Sequence, residues 1–85
     1  MLLEIVTPSK KVFEGKVSVV TLPGAEGSFQ VLNDHAPLVS TLEEGQLTYK
    51  TSSGETDTFV ITGGVAEVLN NKIVVLADGL LEENI

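Results

Sequence analysis

Few side chains in this sequence are equipped for chemistry. His35 is the one histidine, cysteine is absent, and twelve acidic residues face five lysines without any arginine. A general base needs a partner, and Asp34 is the nearest candidate. Adjacent side chains on a strand point to opposite faces, so the two do not read as a dyad. His35 reads instead as a residue that orders a turn or meets a partner, with a small hydrolase as the competing reading. One histidine and no cysteine cannot build a structural zinc site, and the acids follow no EF-hand pattern. Gly63-Gly64 lacks the Lys-Ser/Thr of a phosphate loop and no helix follows it, so it reads as a bulge or tight bend. Glu43-Glu44 before Gly45 reads as a solvated turn, because a paired-carboxylate site needs a cleft that a small sandwich rarely supplies. No cofactor and no metal are expected.

The elements that must position these residues belong to one small domain. A chain of 85 residues buries only about 60–65% of its unfolded surface, so modest stability is expected. The apolar content of 42% is too high for a disordered chain. The net charge of −7 and the lack of arginine argue against nucleic acid and against anionic lipid. A basic protein partner fits this balance. The start, Met1 to Val6, has no basic leader and is interrupted by Glu4 and Pro8, so it does not read as a signal peptide. No apolar run approaches the roughly 20 residues of a membrane-spanning helix, so a soluble chain with no direct membrane insertion is expected.

Short strands between turns dominate the pattern. Leu3 to Val6 is apolar and ends at Pro8. Lys10 to Phe13 reads as a second piece stopped at Gly15, and Lys16 to Leu22 as a third that ends at Pro23-Gly24. Gln46 to Thr51 alternates, with Leu47 and Tyr49 on one side and Gln46, Thr48 and Lys50 on the other. Ser52-Ser53-Gly54-Glu55 reads as the turn into Thr56 to Thr62, which predicts a hairpin. Asn70-Asn71 predicts a second hairpin between Val65–Leu69 and Ile73–Ala77, because Asn tolerates positive φ. Ile73 to Ala77 is apolar throughout, which predicts cover on both faces, one by the opposite sheet and one by a partner. The best helical candidate is the tail, Asp78 to Ile85, with Asp78 as a cap. Turn signals every 8–12 residues or so predict an all-β sandwich or barrel.

The stretch from Pro23 to Leu38 mixes dense turn chemistry with Phe29, Val31, Leu32 and Leu38, and Val39 follows. A loop of that composition packs on its own core or on another protein. This reads as an interaction surface rather than a reactive site. A free-standing ligand-binding sandwich is the alternative, and its mark would be a pocket with convergent polar groups.

These blocks resemble the N-terminal domain of the F-type ATP synthase epsilon subunit, the delta subunit of mitochondria. The matches are Ile5-Val6-Thr7-Pro8, Phe13-Glu14-Gly15, Pro23 to Leu38, Leu42 to Leu47, Gly63-Gly64-Val65-Ala66-Glu67-Val68 and Ile73 to Asp78. They run in order along nearly the whole chain. Gln30 departs from the pattern, standing where the family has Gly. The resemblance implies a flattened β-sandwich of about ten short, mainly antiparallel strands in two sheets, with residues 1–85 as one domain. It implies a non-catalytic central-stalk subunit that joins gamma to the polar loops of the c-ring and couples proton translocation to ATP synthesis. The implied location is the cytoplasmic face of a bacterial plasma membrane, or the equivalent organelle membrane. By position, Thr7, His35 and Ser40 are implied to face gamma, and Glu26, Gly27 and Ser28 the c-ring. The family's α-helical hairpin, which carries inhibition and in some bacteria an ATP site, has no counterpart in these 85 residues. Neither activity is therefore expected of them.

Overall fold

A computed structural model describes residues 1–81, and every regular element in that span is a strand. The strands are β1 (Leu2–Val6), β2 (Lys11–Gly24), β3 (Gly27–Leu32), β4 (Leu38–Leu42), β5 (Gly45–Thr51), β6 (Thr56–Ile61), β7 (Gly64–Leu69) and β8 (Lys72–Ala77). The all-β reading holds. The main path runs β1-β8-β7-β4-β2-β5-β6, with β3 on the free side of β2 and a further β1–β2 pairing. The hydrogen bonding therefore closes on itself through β2. One layer contains β1, β8, β7, β4 and the first half of β2, and the other contains the second half of β2 with β3, β5 and β6.

The residue types predict a strand stop at Gly15, but the strand continues through it. Lys10–Phe13 and Lys16–Leu22 form parts of the single 14-residue β2. What divides β2 is a bulge at Ser18, where the register to β5 shifts between Val17 and Val19. The bulge reverses the alternation: Val17 faces the core before it, and Val20 and Leu22 face the core after it. This lets one strand pair with β1 at its start and with β3 and β5 at its end. Closing the two layers in this way removes most free edges.

The core lies between the layers and takes alternate residues from nearly every strand. Leu3, Ile5, Val20, Leu22, Val31, Leu47, Ile61, Ala66, Ile73 and Val75 are fully buried. Leu47 and Tyr49 face inward from β5 as the alternation predicts. Both expected hairpins form. Lys50 pairs with Thr56 around the Ser52–Gly54 turn. Leu69 pairs with Lys72 around Asn70 and Asn71, both at positive φ (52° and 60°).

The stretch after Pro23 differs from its reading as a loop. Pro23-Gly24 leads into a two-residue turn at Ala25-Glu26, closed by the Gly24–Gly27 pair. Residues 27–32 then form β3, where Val31 is buried and Phe29 packs on the core. Its apolar side chains are mostly strand residues that build the sandwich. Gln30 lies in regular β3 opposite Thr21, with its amide Nε2 donating to Thr21 Oγ1 at 3.4 Å. An exposed β position accepts Gln without needing glycine's freedom. The tail also differs: Leu80 bridges Ile61, and Leu81 N donates to the Val60 carbonyl oxygen at 2.9 Å. This extended path along the edge of β6 replaces the expected helical start at Asp78, and residues 82–85 lie outside the described residues.

Candidate functional site

The outer face of the first layer is where the chain leaves most apolar surface uncovered. Strand register places its side chains in rows. One row runs Val6–Leu76–Val65–Thr41, and the next runs Glu4–Val74–Glu67–Val39. A third holds Leu2, Lys72 and Leu69. Val39 is 68% exposed, Leu76 55%, Leu69 49% and Val65 40%. Contiguous apolar surface of this kind, interrupted by a few charges, marks a protein-binding face. β8 explains its origin. Ile73, Val75 and Ala77 fill the core, while Val74 and Leu76 point outward from the same apolar run. The run is thus covered on one face only within this chain. The sequence signal was present in Ile73–Ala77, but Val39, Val65 and Leu69 were not legible as its neighbours without the strand order.

Charges border this face. Lys11 Nζ lies 3.1 Å from Glu4 Oε2 and 2.8 Å from Glu14 Oε1, and Lys72 Nζ lies 3.7 Å from Glu4 Oε1. The hydrogen bond from Lys11, with the charges of Lys11 and Lys72, holds the Glu4 carboxyl below its ordinary pKa, against a smaller desolvation effect. Hydrogen bonds to Glu14 and Glu4 push the Lys11 ammonium up. Such partly exposed pairs contribute little stability.

The residues singled out by resemblance fall in three places. Glu26 lies in the exposed β2–β3 turn and Gly27 and Ser28, also exposed, open β3 directly after it, with Gly27 at a φ of 127°. Ser40 is half-buried on β4 and pairs with Ala66. A groove of about 560 Å³ lined by Gly24–Phe29 and Leu38–Thr41 brings Ser40 beside that turn. Thr7 lies at the same end of the sandwich, directly after the Val6–Leu76 pair. Its side chain is buried, and its hydroxyl donates to the Lys10 carbonyl oxygen at 3.2 Å and accepts from Lys10 N at 3.3 Å. Thr7 therefore builds a turn around Pro8 as well as marking a position.

His35 lies at the opposite end, on the connection from β3 to β4. Its Nδ1 is 2.7 Å from the Ala36 carbonyl oxygen, so Nδ1 carries the proton. The preceding Asp34 has a φ of 62°, and its backbone N–H donates to Asn71 Oδ1 at 2.8 Å. The imidazole is exposed and hydrogen-bonded to its own loop, as expected of a turn-ordering residue. Among the described residues no group of three or more His, Asp or Glu side chains gathers as metal ligands would. Gly63 and Gly64 have φ values of 135° and 146° and open β7 rather than a phosphate loop. A Cβ at Gly64 would collide with the Leu76 carbonyl oxygen. No helix among the described residues is long and apolar enough to cross a membrane.

Comparison with known proteins agrees with this architecture. The family model for the ATP synthase delta/epsilon chain β-sandwich domain matches residues 1–83. An ATP synthase epsilon chain from Desulfatibacillum aliphaticivorans is 47% identical over 92% of this chain, which spans 55% of that relative's length. An epsilon chain from Chlorobaculum tepidum is 45% identical over 89% of this chain and 86% of its own length. A solved structure of the Tetrahymena thermophila mitochondrial ATP synthase central stalk and c-ring holds a similar chain. The match has a TM-score of 0.82 and 25% identity, over 96% of this chain and 66% of that one. A chain of the Euglena gracilis mitochondrial ATP synthase structure shares the fold, with a TM-score of 0.88, 24% identity, and coverage of 95% of this chain and 52% of that one. From its first strand to the end of the sandwich, the chain belongs to the ATP synthase delta/epsilon family as its β-sandwich domain.

Proposed function

We propose that this chain is a non-catalytic rotor component of an F-type ATP synthase, joining gamma to the c-ring so that ring rotation driven by proton translocation turns the stalk. The observation that carries this reading is the apolar outer face of β4, β7 and β8, with Val39, Val65 and Leu76 exposed. A part that transmits torque needs a broad, rigid contact. A closed sandwich with an uncovered apolar face supplies one without moving parts.

In this reading gamma lies across that face. Thr7, Ser40 and His35, the positions that the family resemblance marks, lie around its border, with Ser40 projecting on the inner side of β4 with Ala66 and reached from the groove beside Glu26–Ser28. The exposed segment Glu26-Gly27-Ser28 projects toward the polar loops of the c-ring. The working location is the membrane surface, with the chain held there by its partners, on the cytoplasmic side in a bacterium.

The test is co-purification with gamma. Wild-type chain is expected to form a complex at micromolar concentration, and Val39→Lys or Leu76→Glu to abolish it while leaving the thermal melt unchanged. Retention of full gamma binding by both variants would refute the assignment of this face.

A further inference from the structure

A second surface lies where the two layers part. Val12 and Phe13 from the start of β2 face Tyr49, Asp57 and Phe59 across a groove of about 790 Å³, whose rim includes Glu55. Three of the chain's four aromatic residues meet here. The Phe13 and Tyr49 rings are 4.4 Å apart at 34°, and Tyr49 and Phe59 are 6.1 Å apart at 21°. The rings therefore pack on one another with no gap between them, and what they offer a flat group is the outward surface of the flanking phenylalanines. Phe13 and Phe59 are only half-buried, so ring surface remains open to solvent.

The charge of the groove has one sign. Both ionisable carboxyl residues lining it, Glu55 and Asp57, are exposed, and no lysine lines it. Asp57 lies opposite Tyr49 in the β5–β6 register, on the core-facing side of β6. Its Oδ2 accepts from Tyr49 Oη at 3.5 Å, and its Oδ1 accepts from Thr58 N at 2.9 Å. The Thr58 bond holds the carboxylate beside the aromatic group with lone pairs to spare.

We propose that this groove receives an arginine side chain presented by a partner polypeptide, its guanidinium lying on the open ring surface of Phe59 and paired with Asp57, two residues away on the same face of β6. The chemistry favours arginine over lysine. A planar guanidinium stacks on rings and bonds a carboxylate through parallel N–H groups, whereas an ammonium is a strongly hydrated point charge. None of these 85 residues is arginine, so the occupant is not one of them. This surface is distinct from the β4-β7-β8 face and does not depend on the rotor reading.

The probe is the peptide Ac-Gly-Arg-Gly-NH2, titrated into the 85-residue chain, with citrulline and lysine versions as controls. Tyr49 is the only tyrosine and tryptophan is absent, so intrinsic fluorescence reports on this groove alone. Saturable change with the arginine peptide is expected in the millimolar range, with NMR shifts confined to Phe13, Tyr49, Phe59 and Asp57. The citrulline and lysine peptides should bind about twofold to fivefold more weakly, the worth of an exposed cation–π contact. Asp57→Asn, which preserves volume, should weaken binding by about threefold or more, and added salt should do the same. Phe59→Leu should weaken it while keeping the apolar wall. Equal binding of the citrulline peptide, an unchanged affinity in Asp57→Asn, or shifts centred elsewhere would each overturn the proposal. The absence of any saturable change would reduce Asp57 to a charge that guards the edge of β6.

Discussion

The pair Gly27→Ala and Gly64→Ala separates backbone strain from steric exclusion. Both glycines have positive φ, 127° and 146°, so alanine at either position is forced into a conformation that side-chain-bearing residues rarely adopt. That strain costs about 1–3 kcal/mol at each site. The surroundings differ. A Cβ at Gly27 meets nothing within 4 Å. At Gly64 it strikes the Leu76 carbonyl oxygen and comes within 3.0 Å of the Ala77 Cα. Those atoms are backbone of β8, which is also hydrogen-bonded to β1, so they cannot rotate away. Overpacking of this kind adds about 1–3 kcal/mol. A domain of 85 residues has only about 4–13 kcal/mol in hand, so Gly64→Ala removes a large share. Urea titration followed by circular dichroism should place Gly64→Ala below Gly27→Ala by that steric part. Thermal melts should separate the two by roughly 5–20 °C. Coincident melts would refute the claim that close approach of β7 to β8 is what demands glycine at this position.

Other expectations follow from the same geometry. Tyr49 should titrate above the ordinary phenol value of 10.0, because burial and then the charge of Asp57 disfavour the phenolate. A folded pKa above the unfolded one means stability falls as pH rises past 10.0, and tyrosinate absorbance should show a lower midpoint in Asp57→Asn. Glu4 has a folded pKa below 4.5, so its contribution is present above that value and disappears as pH falls through the lowered one. Glu4→Gln should flatten that part of the acid unfolding curve, and salt should have the same effect on wild type. Val39→Lys should change stability by less than about 0.5 kcal/mol, since Val39 is 68% exposed and its cross-strand neighbour is Glu67, and any loss of gamma binding then reports the interface itself. His35→Ala should fold normally, losing only the contact to the Ala36 carbonyl oxygen, as judged by an unchanged amide spectrum away from residues 32–37.

Much of the fold was legible because its signals are local. Asn70-Asn71 predicts a turn from the φ angles asparagine tolerates, and Leu47 and Tyr49 predict an inward face from alternation. The family resemblance was equally legible, since its turn residues and apolar blocks recur in order. β3 and β4 were not, because Gly24, Gly27 and Asn33 to Pro37 crowd the strands between them and make short elements look like loop. The single β2 was hidden for another reason. Gly15 reads locally as a strand stop, but pairing with Leu3 of β1 carries the strand through it, and that partner is not visible from β2's own residues.

By themselves, the residue types determined an all-β chain, turns at Asn70-Asn71 and Ser52–Gly54, and a net charge of −7. They also marked Ile73–Ala77 as apolar on both sides. Only the tertiary structure decided which outward side chains lie together. Val39, Val65 and Leu76 belong to three strands, and no pattern within one strand reports the register of another. Likewise Phe13, Tyr49 and Phe59 are far apart in sequence and meet only because β2 bends from one layer into the other. An interface is a property of strand order and closure, and those are fixed by long-range packing rather than by local conformational preference.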